Sequence, residues 1–105
     1  MTTYVFIKGI NNSYTMVRKK VYELLDPVIV GQVIQQYRES RGISQEVLSG
    51  LADIGRTHLS AIERGARRPT LETFFCIAEA LQVYPSVIMS DIEKRMQMFQ
   101  KESAD

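Results

Sequence analysis

The spacing of apolar residues changes character along the chain. Thr3-Tyr-Val-Phe-Ile7 is an unbroken β-branched and aromatic run, which reads as a strand. Gly9-Ile-Asn-Asn-Ser13 is a turn-like cluster. Tyr14, Val17, Val21 and Leu24 then recur at three and four residues, as one face of a helix would. The same stretch is rich in Val, Thr and Tyr, so a hairpin from Thr3 to Glu23 also fits it. Residues 1–25 are therefore an extension, helix or hairpin, ahead of a more regular region.

From Asp26 the helical period dominates. Asp26-Pro27 is a helix start, an acid at the N-cap and a proline where its missing N–H costs nothing. This helix is expected to run to about Arg41, with Val30, Val33, Ile34 and Tyr37 inward and Gly42 closing it. Ser44 caps a second helix in which Val47, Leu48, Leu51 and Ala52 recur at helical spacing, until Asp53-Ile54-Gly55 breaks the pattern. A third, Arg56 to Arg64, buries Leu59 and Ile62 and stops at Gly65. Thr70 caps a fourth whose inward face is Leu71, Phe74, Phe75, Ala78 and Leu81. Pro85 begins a short fifth carrying Val87, Ile88 and Met89. Ser90-Asp-Ile-Glu93 has the form of a capping box and predicts an extra C-terminal helix, Asp91 to Lys101, with Ile92, Met96 and Phe99 on one stripe.

Ser44 to Pro69, two short helices meeting at a tight turn and followed by a basic loop, is a helix-turn-helix pattern. It resembles the Cro/phage-repressor (XRE) family of DNA-binding domains. The residues that carry the resemblance are Ser44-Gln45, Leu48, Leu51-Ala52, Leu59-Ser60, Ile62-Glu63-Arg64-Gly65 and Pro69, continuing into Leu71, Ala78-Glu79-Ala80-Leu81 and Val83. The resemblance spans about Val30 to Met89. It implies an all-α, lambda-repressor-like domain of five helices over residues 26–90. Residues 1–25 then form the N-terminal extension and 91–105 a C-terminal helix and tail.

A helix that reads the major groove presents its N-terminal residues to base edges, with phosphate contacts on both flanks fixing its register. Arg56, Thr57, Ser60 and Ala61 lie on the side of the third helix opposite Leu59 and Ile62. By resemblance they and Gly55 face the bases. Arg56 leads, since a bidentate arginine on guanine is the commonest specific contact. The resemblance gives Gln45 a backbone-contacting role at one flank and gives Arg67 and Arg68 that role at the other. His58 lies between groove and flank, a phosphate contact rather than a metal ligand, as it has no second histidine, acid or thiol nearby in sequence. The resemblance also pairs Arg38 of the first helix with Glu63 as a structural ion pair. Two positions depart from the family pattern. Asp53 stands where the turn usually has glycine, and Ser49 where an alanine usually lets the two helices approach.

Charge qualifies the picture without deciding it. The formal net charge is only +1, and residues 31–82 hold six basic and six acidic side chains. Placement matters more: Arg56, Arg64, Arg67 and Arg68 fall within thirteen positions containing one acid, Glu63. Arg18-Lys19-Lys20 could touch a DNA backbone, but three exposed charges of this kind read first as a solubilising run. The single cysteine, Cys76, allows no internal disulfide and, lying among Phe74, Phe75 and Ile77, reads as a buried, inert thiol. One His, one Cys, no glycine-rich phosphate loop and no paired carboxylates leave no constellation for an enzyme or a bound cofactor. No apolar run reaches membrane-spanning length and the N-terminus has no signal-peptide core, so a cytoplasmic protein is expected.

The expected activity is that of a sequence-specific transcriptional regulator binding a palindromic operator in double-stranded DNA as a homodimer. Such a stripe usually packs on its own domain, but the resembled family's domain is already complete by Met89, so Met89, Ile92, Met96 and Phe99 are the expected dimer contact. The alternative is an antitoxin or antirepressor-type module holding a protein partner on the same scaffold. The unmatched N-terminal segment and the Met-rich final helix favour that alternative.

Overall fold

A computed structural model describes residues 2–9, 12–20 and 25–103. Strands β1 (Thr2–Lys8) and β2 (Tyr14–Lys20) precede five helices: α1 (Pro27–Ser40), α2 (Gln45–Leu51), α3 (Arg56–Glu63), α4 (Leu71–Ala80) and α5 (Pro85–Ser103). The extension is thus the hairpin of the two alternatives, and the molecule is a helical domain with a small two-stranded ribbon. β1 and β2 pair antiparallel from Thr2 opposite Lys20 to Lys8 opposite Tyr14. Gly9 and Ser13 are bridged across the turn, and Asn12 takes the left-handed conformation that asparagine tolerates. β-Branched and aromatic content outweighs the three-and-four spacing here. Val21 and Leu24, half of that spacing, lie outside the described residues.

Side-chain caps start the helices where the sequence places them. Asp26 accepts from the Val28 N–H, Ser44 from Val47 and Thr70 from Thr73. The core is built from Val33 and Ile34 of α1, Leu48 of α2, Leu59 and Ile62 of α3, Ile77 of α4 and Ile88 and Ile92 of α5, with Leu81 at the end of α4. Arg41 donates to the Leu81 carbonyl, and Tyr37 donates to the Asp91 carboxylate, tying α1 to the C-terminal helices. That hydrogen bond raises the Tyr37 phenol above its ordinary pKa, with burial adding to the effect. Among the described residues no single helix is long and apolar enough to cross a membrane.

Several expectations are corrected by how the helices turn. The fifth helix and the separate Asp91–Lys101 helix are one continuous α5. Ile88, Ile92 and Met96 form an unbroken i, i+4 stripe on the core, so Ser90 interrupts nothing. The inward face of α4 is Phe74, Ile77, Ala78 and Leu81, which leaves Leu71 and Phe75 exposed. Cys76 falls off that stripe and is exposed rather than buried. Of the four apolar positions expected inward around α2, Leu48 and the C-cap Ala52 are buried, while Val47 and Leu51 are exposed.

Candidate nucleic-acid interface

The second helix of the motif, α3, is held from behind. Leu59 and Ile62 are fully buried, and Glu63, at the C-terminal end of the same inward side, is nearly so. A buried carboxylate needs hydrogen-bond donors, and three reach it. Arg38 donates through Nε to Oε2 at 2.8 Å and through Nη2 to Oε1 at 2.9 Å, a bidentate pair. Gln45 Nε2 donates to Oε1 at 3.0 Å. The remaining Nη1 of Arg38 donates to the Ile43 carbonyl at 2.9 Å. The hydrogen bond to Glu63 raises the Arg38 pKa above its ordinary value, against an opposing effect of burial. One carboxylate therefore joins α1, the start of α2 and the end of α3.

The backbone is just as close. A Cβ at Gly31 would lie 2.3 Å from the Ile62 carbonyl oxygen and 2.5 Å from that of Glu63. α1 and α3 cross here in backbone contact, and only glycine fits. Gly65, with φ +77°, would bring a Cβ within 2.6 Å of the Val28 Cα, so the chain leaves α3 flush against the start of α1. Sequence reasoning assigned Gly65 a stop and missed Gly31. Its signal was a glycine in the middle of a run of good apolar helix positions, Val28-Ile-Val-Gly-Gln-Val-Ile34.

The turn between α2 and α3 is built around Asp53, which adopts φ 56° in the position where the resemblance has glycine. Ile54 N–H donates to the Ser49 carbonyl at 3.0 Å across this turn. Ser49 is buried, and its hydroxyl is satisfied by the Glu46 carbonyl at 3.0 Å, so serine replaces alanine without an orphaned polar group.

The outward side of α3 carries the residues singled out from the sequence. Gly55 is its N-cap and supplies no side-chain hydrogen bond, so the first-turn N–H groups have no side-chain cap. Gly55, Arg56 and Thr57 are exposed, and His58, Ser60 and Ala61 are half-buried. Arg64 donates to the Ser60 hydroxyl. Beyond the helix, the Ala66 and Arg67 N–H groups close back onto the Ala61 carbonyl, which sets Arg67 and Arg68 at its exposed end. Arg68 Nη1 also donates to the Leu25 carbonyl at 2.8 Å.

Two groups of expected contacts sit elsewhere. Gln45 is half-buried against Glu63, a bond that uses one of the two N–H groups of its amide. Of the expected dimer residues, Ile92 and Met96 are buried in the chain's own core and present nothing to a second copy. Met89 is exposed, and the side chain of Phe99 lies outside the described residues.

A short exposed helix, locked to its neighbours by a buried ion pair and followed by a basic loop, defines a helix-turn-helix domain. The chain belongs to the helix-turn-helix family, of the XRE type, whose model matches residues 34–88. It is 37% identical over 68 residues to the transcriptional regulator ClgR of Mycobacterium tuberculosis, covering 65% of this chain and 61% of that one. The match therefore spans about three-fifths of that relative's length. It is 38% identical to control protein C.BamHI of Bacillus amyloliquefaciens over 63 residues, 59% of this chain and 78% of that protein. Among solved structures, the restriction-modification controller protein C.AhdI from Aeromonas hydrophila superposes with a TM-score of 0.59 at 33% identity, over 60% of this chain and 96% of that one. The controller protein C.Esp1396I, solved as a tetramer on its natural 35 base-pair operator, superposes with a TM-score of 0.63 at 30% identity, over 68% and 93%.

Proposed function

We propose that this protein is a transcriptional regulator that reads duplex DNA through α3 and binds a two-fold operator as a homodimer. The observation that carries the reading is the contrast between the two sides of α3. Its inner side is fixed by Leu59, Ile62 and the Arg38–Glu63–Gln45 network, and its outer side offers Gly55, Arg56 and Thr57 to solvent. Base reading demands that kind of fixed presentation. Arg56, Thr57, Ser60 and Ala61 meet base edges, while Arg67, Arg68, His58 and the N-terminal end of α2 at Gln45 meet phosphates. The relatives named above as regulators and controllers, and the operator-bound tetramer of C.Esp1396I, support the reading. Such a protein works beside the chromosome, as the cytoplasmic expectation requires.

For the dimer, the exposed apolar residues at the junction of α4 and α5 suit a second copy better than the buried stripe of α5. Phe75 and Tyr84 line one open groove there, and Val87 and Met89 are exposed on the first turns of α5.

Selection of bound duplexes from a random pool tests the reading. An inverted repeat with half-sites about one helical turn apart is the expected product. On that site Arg56→Ala should cost about 1–3 kcal/mol and relax specificity at one base pair. A loss equal for all sequences would remove Arg56 from base reading. A stoichiometric protein partner with no retained DNA would favour the antitoxin-type alternative.

A further inference from the structure

We propose that the β1–β2 hairpin is a second nucleic-acid contact: a cationic ribbon that grips the duplex beside the half-site read by α3. This rests on the DNA-binding reading above and extends it to a segment outside the family match, which starts at residue 34.

Charge is the first observation. Residues 1–20 hold four cations, Lys8, Arg18, Lys19 and Lys20, and no acid. The remaining 85 positions hold nine basic and twelve acidic residues. A ribbon of +4 is thus attached to a remainder of −3, and the near-neutral total conceals a strongly polar molecule. Two such ribbons repel one another, whereas a phosphate backbone complements them.

Position is the second. Arg68, in the basic loop after α3, donates to the carbonyl of Leu25 at 2.8 Å. Lys20, the last residue of β2, is five residues before Leu25. Five residues span at most ~18 Å when fully extended, so the cationic end of β2 is tethered to the Arg67–Arg68 flank of the interface. The ribbon's root and the phosphate-gripping loop therefore serve the same stretch of duplex.

Shape is the third. A two-stranded ribbon fits the major groove as an α-helix does. Alternation along the paired strands puts Tyr4, Phe6, Tyr14 and Met16 on one face, with Phe6 opposite Met16 and Lys8 opposite Tyr14. All four are more than half exposed, an unusual display for a soluble surface. Tyrosine hydroxyls and lysines are ordinary donors to phosphate oxygens. A two-stranded hairpin is marginal on its own in water, and a duplex would give this one a surface to lie on.

The test neutralises the ribbon in the full chain, as Lys8→Gln, Arg18→Gln, Lys19→Gln and Lys20→Gln together. Binding to a random-sequence duplex of about 40 base pairs is followed by fluorescence anisotropy from about 50 to about 200 mM KCl. Each phosphate that the ribbon ceases to neutralise should flatten the plot of log affinity against log salt by about 0.9, so a decrease of about 3 to 4 in slope is expected. Affinity near ~0.1 M salt should drop at least tenfold, since each neutralised phosphate is worth about eightfold there. An unchanged slope, with the wild type binding normally, overturns the ribbon and leaves the regulator intact. No duplex binding by the wild type removes both. A changed oligomeric mass at constant slope also overturns it, by assigning the hairpin to a protein contact. If the quadruple variant fails to fold, Lys8→Gln and Arg18→Gln singly should each flatten the slope by about 0.9, and a flat response to both rejects the proposal.

Discussion

The outward helix α3 and the N-terminal ribbon both carry cations, yet they are held in opposite ways. α3 has Leu59 and Ile62 buried in the core, a carboxylate with three donors behind it, and α1 in backbone contact beneath it. The ribbon has its own ladder and a tether through Leu25. The difference matches the two tasks proposed for them. Distinguishing one base pair from another requires donors fixed to within a fraction of an ångström, which an element packed as α3 is provides. Gripping a phosphate backbone is a matter of charge and reach, and a tethered ribbon suffices.

The comparison breaks most visibly at Glu63. Glu63→Ala removes the carboxylate and leaves the Arg38 guanidinium and the Gln45 amide facing a cavity. The expected loss is about 3–5 kcal/mol, read from urea unfolding. Glu63→Gln, which keeps the shape and one acceptor oxygen, should recover part of it. Unchanged melting in Glu63→Ala would mean that α3 is not held by this network.

Gly31→Ala comes next. The added methyl meets two carbonyl oxygens at the C-terminal end of α3, so α3 must move away from α1. Overpacking of this kind costs about 1–3 kcal/mol. On the proposed reading the displaced element is the base-reading one, so discrimination between selected and random DNA should fall further than the stability change alone explains. A variant with lowered Tm and full discrimination would separate the platform from the reading.

Much of the platform was legible in the sequence, because caps and turns are local chemistry. Asp26, Ser44 and Thr70 start helices as their side chains predict, and Gly42 and Gly65 close them with positive φ. Leu59 and Ile62 against Arg56 and Thr57 separated the two sides of α3. What escaped depends on tertiary packing. The rotation that exposes Phe75 and Cys76 and buries Ile77 goes with packing against both α2 and α5, and spacing within α4 alone leaves it open. The capping-box pattern at Ser90 starts no helix, because a continuous buried stripe carries the helix through it. The close crossing at Gly31 joins it to Ile62 and Glu63, far along the chain, so no window along the sequence reveals it. Arg38 and Glu63 came from resemblance, and their distances come from the fold.

Asp53 gives a smaller effect of the opposite sign. At φ 56° an aspartate is tolerated, but glycine relieves the Cβ contact at some cost in unfolded-state entropy. Asp53→Gly should raise the stability of the helical domain by about 0.5 kcal/mol, measured as a higher urea midpoint at constant m. A decrease would mean that the Asp53 side chain stabilises the turn by more than its backbone strain.

The smallest effect is expected at Phe6, and it bears directly on the contrast between the two elements. Phe6 is 69% exposed and pairs across the ribbon with Met16, so truncation to alanine removes little buried surface. If the ribbon is held only by its ladder and tether, Phe6→Ala should leave unfolding of the helical domain within about 0.5 kcal/mol of wild type. Amide exchange separates the elements further. The ribbon's N–H groups should exchange at low opening free energies in both proteins, while those of α1 and α3 report global unfolding. A shift of several degrees in Tm on truncating Phe6 would mean that this ring packs against the helices. The ribbon would then be part of the platform, and the division of labour between a fixed reader and a tethered grip would collapse into one rigid surface.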